Sequence, residues 1–190
     1  MMKLLFIANV ILWNCLFVIS NDDNLIPINI TEFDLGKIEL SLTKDSDVKK
    51  SNGVLYLPNC NALLENKRDE DYYELYYIGD LNGKYPKKVI KKMLYNGYEY
   101  LIIDTRHKCR ETILMGKPHF FDSYIINFNE SETTDSKKVI EIWKLVEGQI
   151  VKKKDFKLYQ VIIFVDVRIN KEKNALLLKD NTGKFWKISL

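Results

Sequence analysis

Short runs of alternating or continuous apolar residues dominate the chain and predict a protein built mainly of β-strands. Ile38-Glu39-Leu40-Ser41-Leu42 alternates strictly between apolar and polar residues, which is typical of a strand with one buried face. Residues 72–78 are apolar on both faces and predict a central strand rather than an edge strand. Further strands are predicted at residues 25–30, 35–42, 54–57, 98–104, 111–115, 121–128 and 159–167. The pattern therefore predicts antiparallel meander sheets with one or two short helices, a mainly β fold that is α+β at most.

Residues 86–95 are the clearest candidate for a helix. Four apolar residues fall on one helical face and four lysines on the other, with Pro86 suited to the first helical position and Asn96-Gly97 to a C-terminal stop. The apolar residues are Val89, Ile90, Met93 and Leu94, and the lysines are Lys87, Lys88, Lys91 and Lys92. A competing interpretation makes Asn96-Gly97 a type I′ turn between strands at 92–95 and 98–104. We favour the helix, because the lysines follow a period of 3.6 residues better than a period of two.

The best candidate for an internal boundary is the segment 129–136, which is acidic, rich in hydroxyl groups and free of large apolar residues. It separates a β-rich unit at 21–128 from a second one at 137–190, which is either independent or packed with the first as one domain. Within the second unit, residues 139–147 fit a helix or a strand, and their β-branched content favours the strand. A terminal hairpin is predicted from residues 174–179 and 184–188. In the first unit, the charged segment 61–71 predicts a short helix or an exposed loop.

The first twenty residues have the organisation of a secretory signal peptide. Lys3 is their only charge, an apolar run covers residues 4–19, and Asn21-Asp22-Asp23 then turns acidic. The apolar run is shorter than the roughly 20 residues that span a bilayer. We therefore expect cleavage near Ser20 and secretion, either to the extracellular space or into a host cell, with no transmembrane span left in the mature chain. The alternative is an uncleaved N-terminal anchor.

Composition places the mature chain among globular proteins, since 46% of the residues are hydrophobic and 29% are charged. The net charge of +3 is too small to indicate a polyanionic partner. Lysine-rich segments at 87–92 and 152–157 are balanced by acidic segments at 69–71 and 130–135. They are therefore interpreted as solvated faces, and we expect no specific nucleic acid and no cofactor.

Two cysteines remain after removal of the signal, Cys60 and Cys109, and an even pair in a secreted chain predicts a disulfide. The alternative is a pair of free thiols, either buried or kept reduced in a host cytosol. Asn29-Ile30-Thr31 and Asn129-Glu130-Ser131 are sequons for N-glycosylation. Such short motifs also arise by chance in an asparagine-rich chain, so Asn29 and Asn129 are candidates only.

His107, Cys109 and His119 are the residues from which a catalytic or metal site would have to be built. Their spacing fits no familiar zinc pattern, and Cys109 lies in a connection between strands rather than at a helix N-terminus that would lower the pKa of its thiol. No glycine-rich phosphate loop or nucleophile elbow is present in the sequence. We therefore expect neither catalytic residues nor metal ligands, and keep a small secreted hydrolase or nuclease using this region as the alternative.

Four tyrosines in one predicted strand are the better indication of recognition. Tyr72, Tyr73, Tyr76 and Tyr77 cannot all be buried at low cost, because each hydroxyl requires a hydrogen-bond partner or water. Tyrosine is also enriched at protein interfaces. We therefore expect an interaction surface here, although tyrosine also simply fills strand positions.

The second unit resembles the FAINT-domain proteins, the secreted SfiI-subtelomeric-fragment-related family of Theileria and its relatives. The resemblance rests on the order of segments: Val139-Ile140-Glu141-Ile142-Trp143-Lys144, then residues 159–165, then residues 176–179 and Phe185-Trp186-Lys187. Residues 85–128 resemble a degenerate copy. The helix candidate at 86–95 and the charged segment 61–71 depart from the family pattern. The resemblance implies export by an intracellular parasite and supplies no catalytic residues.

Taken together, the sequence predicts a secreted, non-enzymatic protein-interaction module, with a host protein as the expected partner. Two alternatives stay open: the small hydrolase or nuclease, and a structural coat protein held by an uncleaved signal. The sequence gives no indication of the oligomeric state.

Overall fold

The computed structural model describes residues 25–57, 60, 62–67, 72–82, 86–106, 109–129, 138–158 and 162–190, and the predicted signal peptide lies outside them. Within these residues the fold is mainly β, as predicted, with one short helix, α1 (Ile30–Asp34). The strands are β1 (Ile26–Ile28), β2 (Lys49–Ser51), β3 (Val54–Leu57), β4 (Ala62–Glu65), β5 (Tyr73–Leu81), β6 (Lys87–Leu94), β7 (Gly97–Asp104), β8 (Arg110–Met115), β9 (Pro118–Phe121), β10 (Tyr124–Asn129), β11 (Lys138–Val146), β12 (Gln149–Leu158), β13 (Phe164–Asn170), β14 (Ala175–Asp180) and β15 (Phe185–Ser189).

The strands form four antiparallel sheets. We call them the small sheet (order β2-β3-β4), the platform sheet (β5-β6-β7-β8), the central sheet (β12-β11-β10-β9) and the terminal sheet (β1-β15-β14-β13). All but one of the pairings join strands that are consecutive in the chain, the exception being β1 with β15. The topology is therefore a series of meanders, closed by the N-terminal strand pairing with the C-terminal one.

The sheets stack in layers, because alternate residues of each strand point to opposite faces and both faces are apolar. The central sheet packs one face on the terminal sheet through residues such as Ile126, Ile140 and Leu176. Its other face packs on the platform sheet through Ile125 and Ile102. The remaining face of the platform sheet carries the small sheet, and α1 covers the outer face of the terminal sheet.

The helix predicted at residues 86–95 is wrong. The competing hairpin is correct, although its turn lies one residue before the predicted Asn96-Gly97 and is not of type I′. Strand β6 pairs along its whole length with β5 and β7, and the turn to β7 lies at Tyr95 and Asn96. Lys87 and Lys88 are each only 1% exposed, so the lysines do not form a solvated helical face. Their charges are matched by aspartates from other strands and loops, and this pairing allows a lysine-rich segment to lie inside a sheet.

The predicted boundary at 129–136 does not separate two sheets. Strands β10 and β11, which precede and follow this segment, pair directly from Tyr124 with Lys144 to Asn129 with Val139. The central sheet therefore contains strands from both predicted units. One of its faces shares a hydrophobic core with the platform sheet, and the other shares a core with the terminal sheet. Residues 130–137 themselves lie outside the described residues.

Several strand predictions change in detail. Residues 35–42 form no strand: Lys37 makes an isolated bridge to Ile169, and the Leu40 amide donates a hydrogen bond to the Phe120 carbonyl. The charged segment 61–71 contains a strand, β4, in place of the predicted helix or loop. Residues 121–128 span part of a hairpin, β9 and β10, and the strand at 72–78 lies at an edge of its sheet. Residues 159–161 of the strand predicted at 159–167 lie outside the described residues. Strand β13 begins at Phe164, and Val165 is 59% exposed, so the described part of this prediction is not buried throughout.

The segment 139–147 and the terminal hairpin were predicted correctly, as β11 and as β14 with β15. Among the residues that the structure describes, no helix has the length and apolar character needed to cross a membrane.

Candidate interaction surface

The four tyrosines of the predicted interaction surface divide between the two faces of the platform sheet. Tyr73 and Tyr77 lie on the face that carries the small sheet and pack against its core. Tyr76 points to the opposite face and is 44% exposed, and Tyr72, just before the strand, is 40% exposed. The tyrosines therefore do not form one continuous patch, because side chains alternate along a strand.

Tyr77 has a structural role, because its ring packs on the core and its hydroxyl makes two hydrogen bonds. Its hydroxyl donates to Asp80 Oδ1 over 2.6 Å and accepts a hydrogen bond from the backbone amide of Asp45 over 3.1 Å. Burial, followed by the hydrogen bond to Asp80, raises the pKa of the Tyr77 hydroxyl well above its ordinary value. Tyr77 thus stays a neutral donor that ties the loop at Asp45 to β5.

Lysine ammonium groups lie over the rings of the other tyrosines. Lys92 Nζ is 4.7 Å from the ring centre of Tyr73, and Lys50 Nζ is 4.5 Å from that of Tyr76. Lysines and tyrosines at these distances attract each other through the ring quadrupole. Lys50 of β2 and Lys92 of β6 therefore lie against tyrosines of β5, so lysines and tyrosines that are separate features in the sequence are in contact in the fold.

The small sheet covers only part of the platform sheet. Ile90, Leu101 and Ile113 are register partners in a row across β6, β7 and β8. Ile90 is fully buried, Leu101 is 6% exposed and Ile113 is 51% exposed. Met115, on the same face, is 46% exposed. The apolar face of the platform sheet is therefore progressively uncovered toward β8.

A groove of about 490 Å³ lies between β4 and this uncovered face. Its lining residues are Leu64, Glu65, Asn66, Lys67, Tyr73, Leu75, Lys92, Leu101, Glu111 and Ile113. A second depression of about 440 Å³ continues it past Lys67, Tyr73 and Lys92 to Tyr72 and Tyr95. Tyr95 is 88% exposed at the tip of the β6–β7 turn. We call the two depressions together the β4 groove.

The β4 groove combines an apolar floor with charged ends. Leu75 and Leu101 line it on β5 and β7, Lys67 and Lys92 line it toward β5 and β6, and Glu111 lines it on β8. Lys92 Nζ is also held by Glu99 over 3.2 Å. An apolar groove with a few charged groups at its rim is suited to binding a ligand in a fixed orientation.

Sequence reasoning missed the walls of this groove. Leu64 lies in a segment that was interpreted as a charged helix or loop, and Ile113 in a strand with no special mark. The available signal was the apolar pair Leu63-Leu64 within charged residues, which is typical of a short strand.

Cys60 and Cys109 form a disulfide, in agreement with the prediction from the cysteine count. Both residues pack against the core between the small and platform sheets. The Cys109 sulfur is therefore not a thiolate nucleophile while the disulfide is intact.

The histidines give no assembled site within the described residues. His119 lies on β9, where its Nδ1 is 2.9 Å from Glu39 Oε2 and its ring packs edge-on against Phe128. His107 lies outside the described residues. Among the residues that the structure describes, no group of three histidine, cysteine or acidic side chains is placed to hold a metal ion.

A buried polar cluster surrounds Lys88 at the other end of the small sheet. Lys88 Nζ is 2.8 Å from Asp45 Oδ2 and 3.2 Å from Asp80 Oδ2. The hydrogen bond from Lys88 lowers the pKa of the Asp45 carboxyl. The ammonium group donates hydrogen bonds to both carboxylates, so this cluster holds the 44–47 loop on the platform sheet.

The two sequons occupy different environments. Asn29 is exposed and caps α1, where its Oδ1 accepts a hydrogen bond from the Glu32 amide over 2.8 Å. Asn129 ends β10 and pairs in register with Val139, next to residues outside the description. Glycosylation at either site stays a prediction.

No family model matches this chain, and neither a curated protein nor a solved structure matches it.

Proposed function

We propose that this protein is a secreted, non-enzymatic protein-interaction module that binds its partner through the β4 groove. The observation that supports the proposal is the exposed apolar face of the platform sheet beside β4. Ile113 and Met115 stand on a sheet face whose other half is covered by the small sheet. Apolar side chains left open beside a groove are typical of a docking site.

The side chains around the groove are those that contribute most at protein interfaces. Tyr72 and Tyr95 are exposed at one end, and Lys92 lies over the ring of Tyr73. Tyrosine gives a large contact area at a low entropic cost, and it is enriched among residues that dominate binding energy. Ile113 is 51% exposed, so covering the rest of its side chain would contribute about 1 kcal/mol to binding.

Secretion is supported by the N-terminal sequence and by the disulfide, since disulfides persist in oxidising compartments. The resemblance to FAINT-domain proteins extends the proposal to a host protein as partner. The binding surface proposed on this chain is the same whether or not the partner is a host protein.

The proposal is tested by photo-crosslinking with the secreted full-length protein. A benzophenone amino acid is placed at position 113, in the groove, and at position 165 as a matched control. Both positions hold an exposed β-branched residue on a strand, and Val165 lies on β13, far from the groove in sheet order. We expect a discrete, saturable crosslinked protein from position 113 and none from position 165. Equal crosslinking from both positions, or none from position 113, would overturn the proposal.

Secretion is tested separately by mass spectrometry of the protein from its native source. A mature chain beginning near Asn21 supports it. A chain that retains Met1 in a membrane fraction would instead support the coat-protein alternative.

A further inference from the structure

Strand β4 presents an open edge to the groove. Within the described part of the chain, β4 pairs only with β3, through Val54 with Glu65 to Leu57 with Ala62. Its other edge adjoins the groove whose lining includes Leu64 and Glu65. An open strand edge carries backbone N–H and C=O groups that can pair with another extended chain.

Two tethers hold β4 across the platform sheet. At its start, the Cys60–Cys109 disulfide joins it to the residue that precedes β8. Beyond its end, Lys67 and Tyr73 exchange two backbone hydrogen bonds of 3.1 Å at the start of β5. These attachment points are opposite corners of the platform sheet, because β5 and β8 are its two edge strands and run antiparallel. The open edge of β4 is therefore fixed over the sheet before any partner binds, which lowers the entropic cost of binding.

We infer that an extended segment of the partner protein binds along the open edge of β4 and adds a fourth strand to the small sheet. This inference rests on the proposed function and specifies the form of its ligand. Pairing along β4 would supply main-chain hydrogen bonds, and the added strand would lie over Leu101 and Ile113, the uncovered part of the platform sheet. Sheet extension of this kind is a common mode of peptide recognition.

The groove also specifies the side chains of such a segment. Successive residues of a strand point to opposite faces, so every second residue would face Leu101 and Ile113 and be apolar. Lys92 favours an acidic side chain at one end of the segment, and Glu111 favours a basic one at the other. The bound segment would cross the four strands of the platform sheet, which have three spacings of about 4.8 Å between them. Its length over the sheet is therefore on the order of 14 Å, or about four extended residues.

The test is a selection from a random nonapeptide library displayed on phage, with the full mature protein as bait. The Ile113→Lys variant serves for counter-selection, because residue 113 is exposed and its change places a charge on the groove wall without altering the core. Val165→Lys is the matched control for an exposed strand position. Circular dichroism and thermal unfolding check that both variants are folded.

We expect enriched peptides with apolar residues at alternate positions and an acidic residue toward one end. They should bind the native protein and Val165→Lys equally and lose at least tenfold in affinity on Ile113→Lys. N-methylation of the peptide amides that face β4 should also reduce affinity at least tenfold, while methylation of the opposite set should not. Hydrogen exchange at β4 should slow when the peptide is bound.

Other results would overturn the inference. Peptides that show no alternation, or that tolerate N-methylation on both edges, would exclude strand pairing. So would a selection with no enrichment over Ile113→Lys. A dimer that dissociates in Ile113→Lys would assign the groove to a second copy, and an intramolecular crosslink from position 113 would assign it to this chain's own residues. If position 113 crosslinks a partner but no peptide is selected, strand pairing fails and the proposed function stands. If a peptide is selected but position 113 crosslinks no partner protein, the proposed function fails, while pairing of an extended peptide with β4 stands.

Discussion

Lys87 Nζ donates a hydrogen bond to Asp104 Oδ2 over 2.7 Å in the layer between the platform and central sheets. The two residues are register partners on β6 and β7, and the Lys87 side chain is fully buried. They line a cavity of about 170 Å³ whose opposite wall is the β11–β12 turn at Gly148 and Gln149. A buried pair of this kind is tolerated only because each charge has its partner.

Removing one member of this pair should be strongly destabilising. Lys87→Met removes the ammonium group that lies 2.7 Å from the buried Asp104 carboxylate, and we expect a loss of about 3–5 kcal/mol in the free energy of unfolding. The double variant Lys87→Met/Asp104→Leu, which removes both charges, should recover part of this loss. Urea unfolding measures both, with Lys49→Met at an exposed position as control. A loss in Lys87→Met no larger than that of the control would contradict the argument.

Gly116 should not tolerate a side chain. It joins β8 to β9 with φ = +96°, and a Cβ atom there would collide with the carbonyl oxygen of Phe128. Gly183 provides the matched control, because its φ is +86° but nothing lies within 4 Å of its Cβ position. Gly183→Ala should cost about 1–2 kcal/mol from backbone strain alone. Gly116→Ala should cost clearly more, and equal thermal stability of the two variants would show that the contact with Phe128 relaxes freely.

Asp180 should stabilise the terminal hairpin in a pH-dependent manner. Its carboxylate accepts hydrogen bonds from Trp186 Nε1 and from the backbone amides of Thr182 and Lys184. Burial raises the pKa of this carboxyl, but the hydrogen bonds outweigh it, so the pKa lies below its ordinary value of 3.8. The stabilisation is therefore fully present above about pH 4 and is lost as the pH falls through the lowered pKa of the folded state.

Asp180→Asn should lower the free energy of unfolding by about 1–2 kcal/mol at neutral pH. The difference from the native protein should shrink as the pH falls below about 4, because the native carboxyl then becomes neutral as well. Urea unfolding over this pH range measures it, with the exposed Glu172→Gln as control. A difference that stays constant down to low pH would mean that the charge of Asp180 is not involved.

Removal of the disulfide should weaken both the fold and the groove. The bond closes a loop with a sequence separation of 49 residues, for which the chain-entropy model gives about 4 kcal/mol. We expect Cys60→Ser/Cys109→Ser to unfold at a lower urea concentration and to bind the selected peptides more weakly, since β4 then loses one tether. The native protein in dithiothreitol should behave in the same way. Unchanged stability in both cases would contradict the prediction.

The incorrect helix prediction at residues 86–95 has an identifiable physical cause. The sequence pattern favours the helix over the hairpin because four lysines on one face follow a period of 3.6 residues better than a period of two. Lys87 and Lys88 are instead buried, and their charges are paired with Asp104, Asp45 and Asp80, which lie in other segments of the chain. Only the turn residues Asn96-Gly97 carried the correct answer locally, because this pair favours a tight hairpin.

The sequence by itself determined the mainly β fold, the terminal hairpin and the pairing of two cysteines, because strand alternation, turn residues and cysteine number are local or countable properties. The tertiary structure decided the order of the layers, the burial of the lysines and the β4 groove. The groove exists because β4 is tied at one end to Cys109 and at the other to Tyr73, while the small sheet is too narrow to cover Ile113. Contacts between distant segments, and the area that one sheet leaves uncovered on another, follow from packing in three dimensions and have no counterpart in the local pattern of residues.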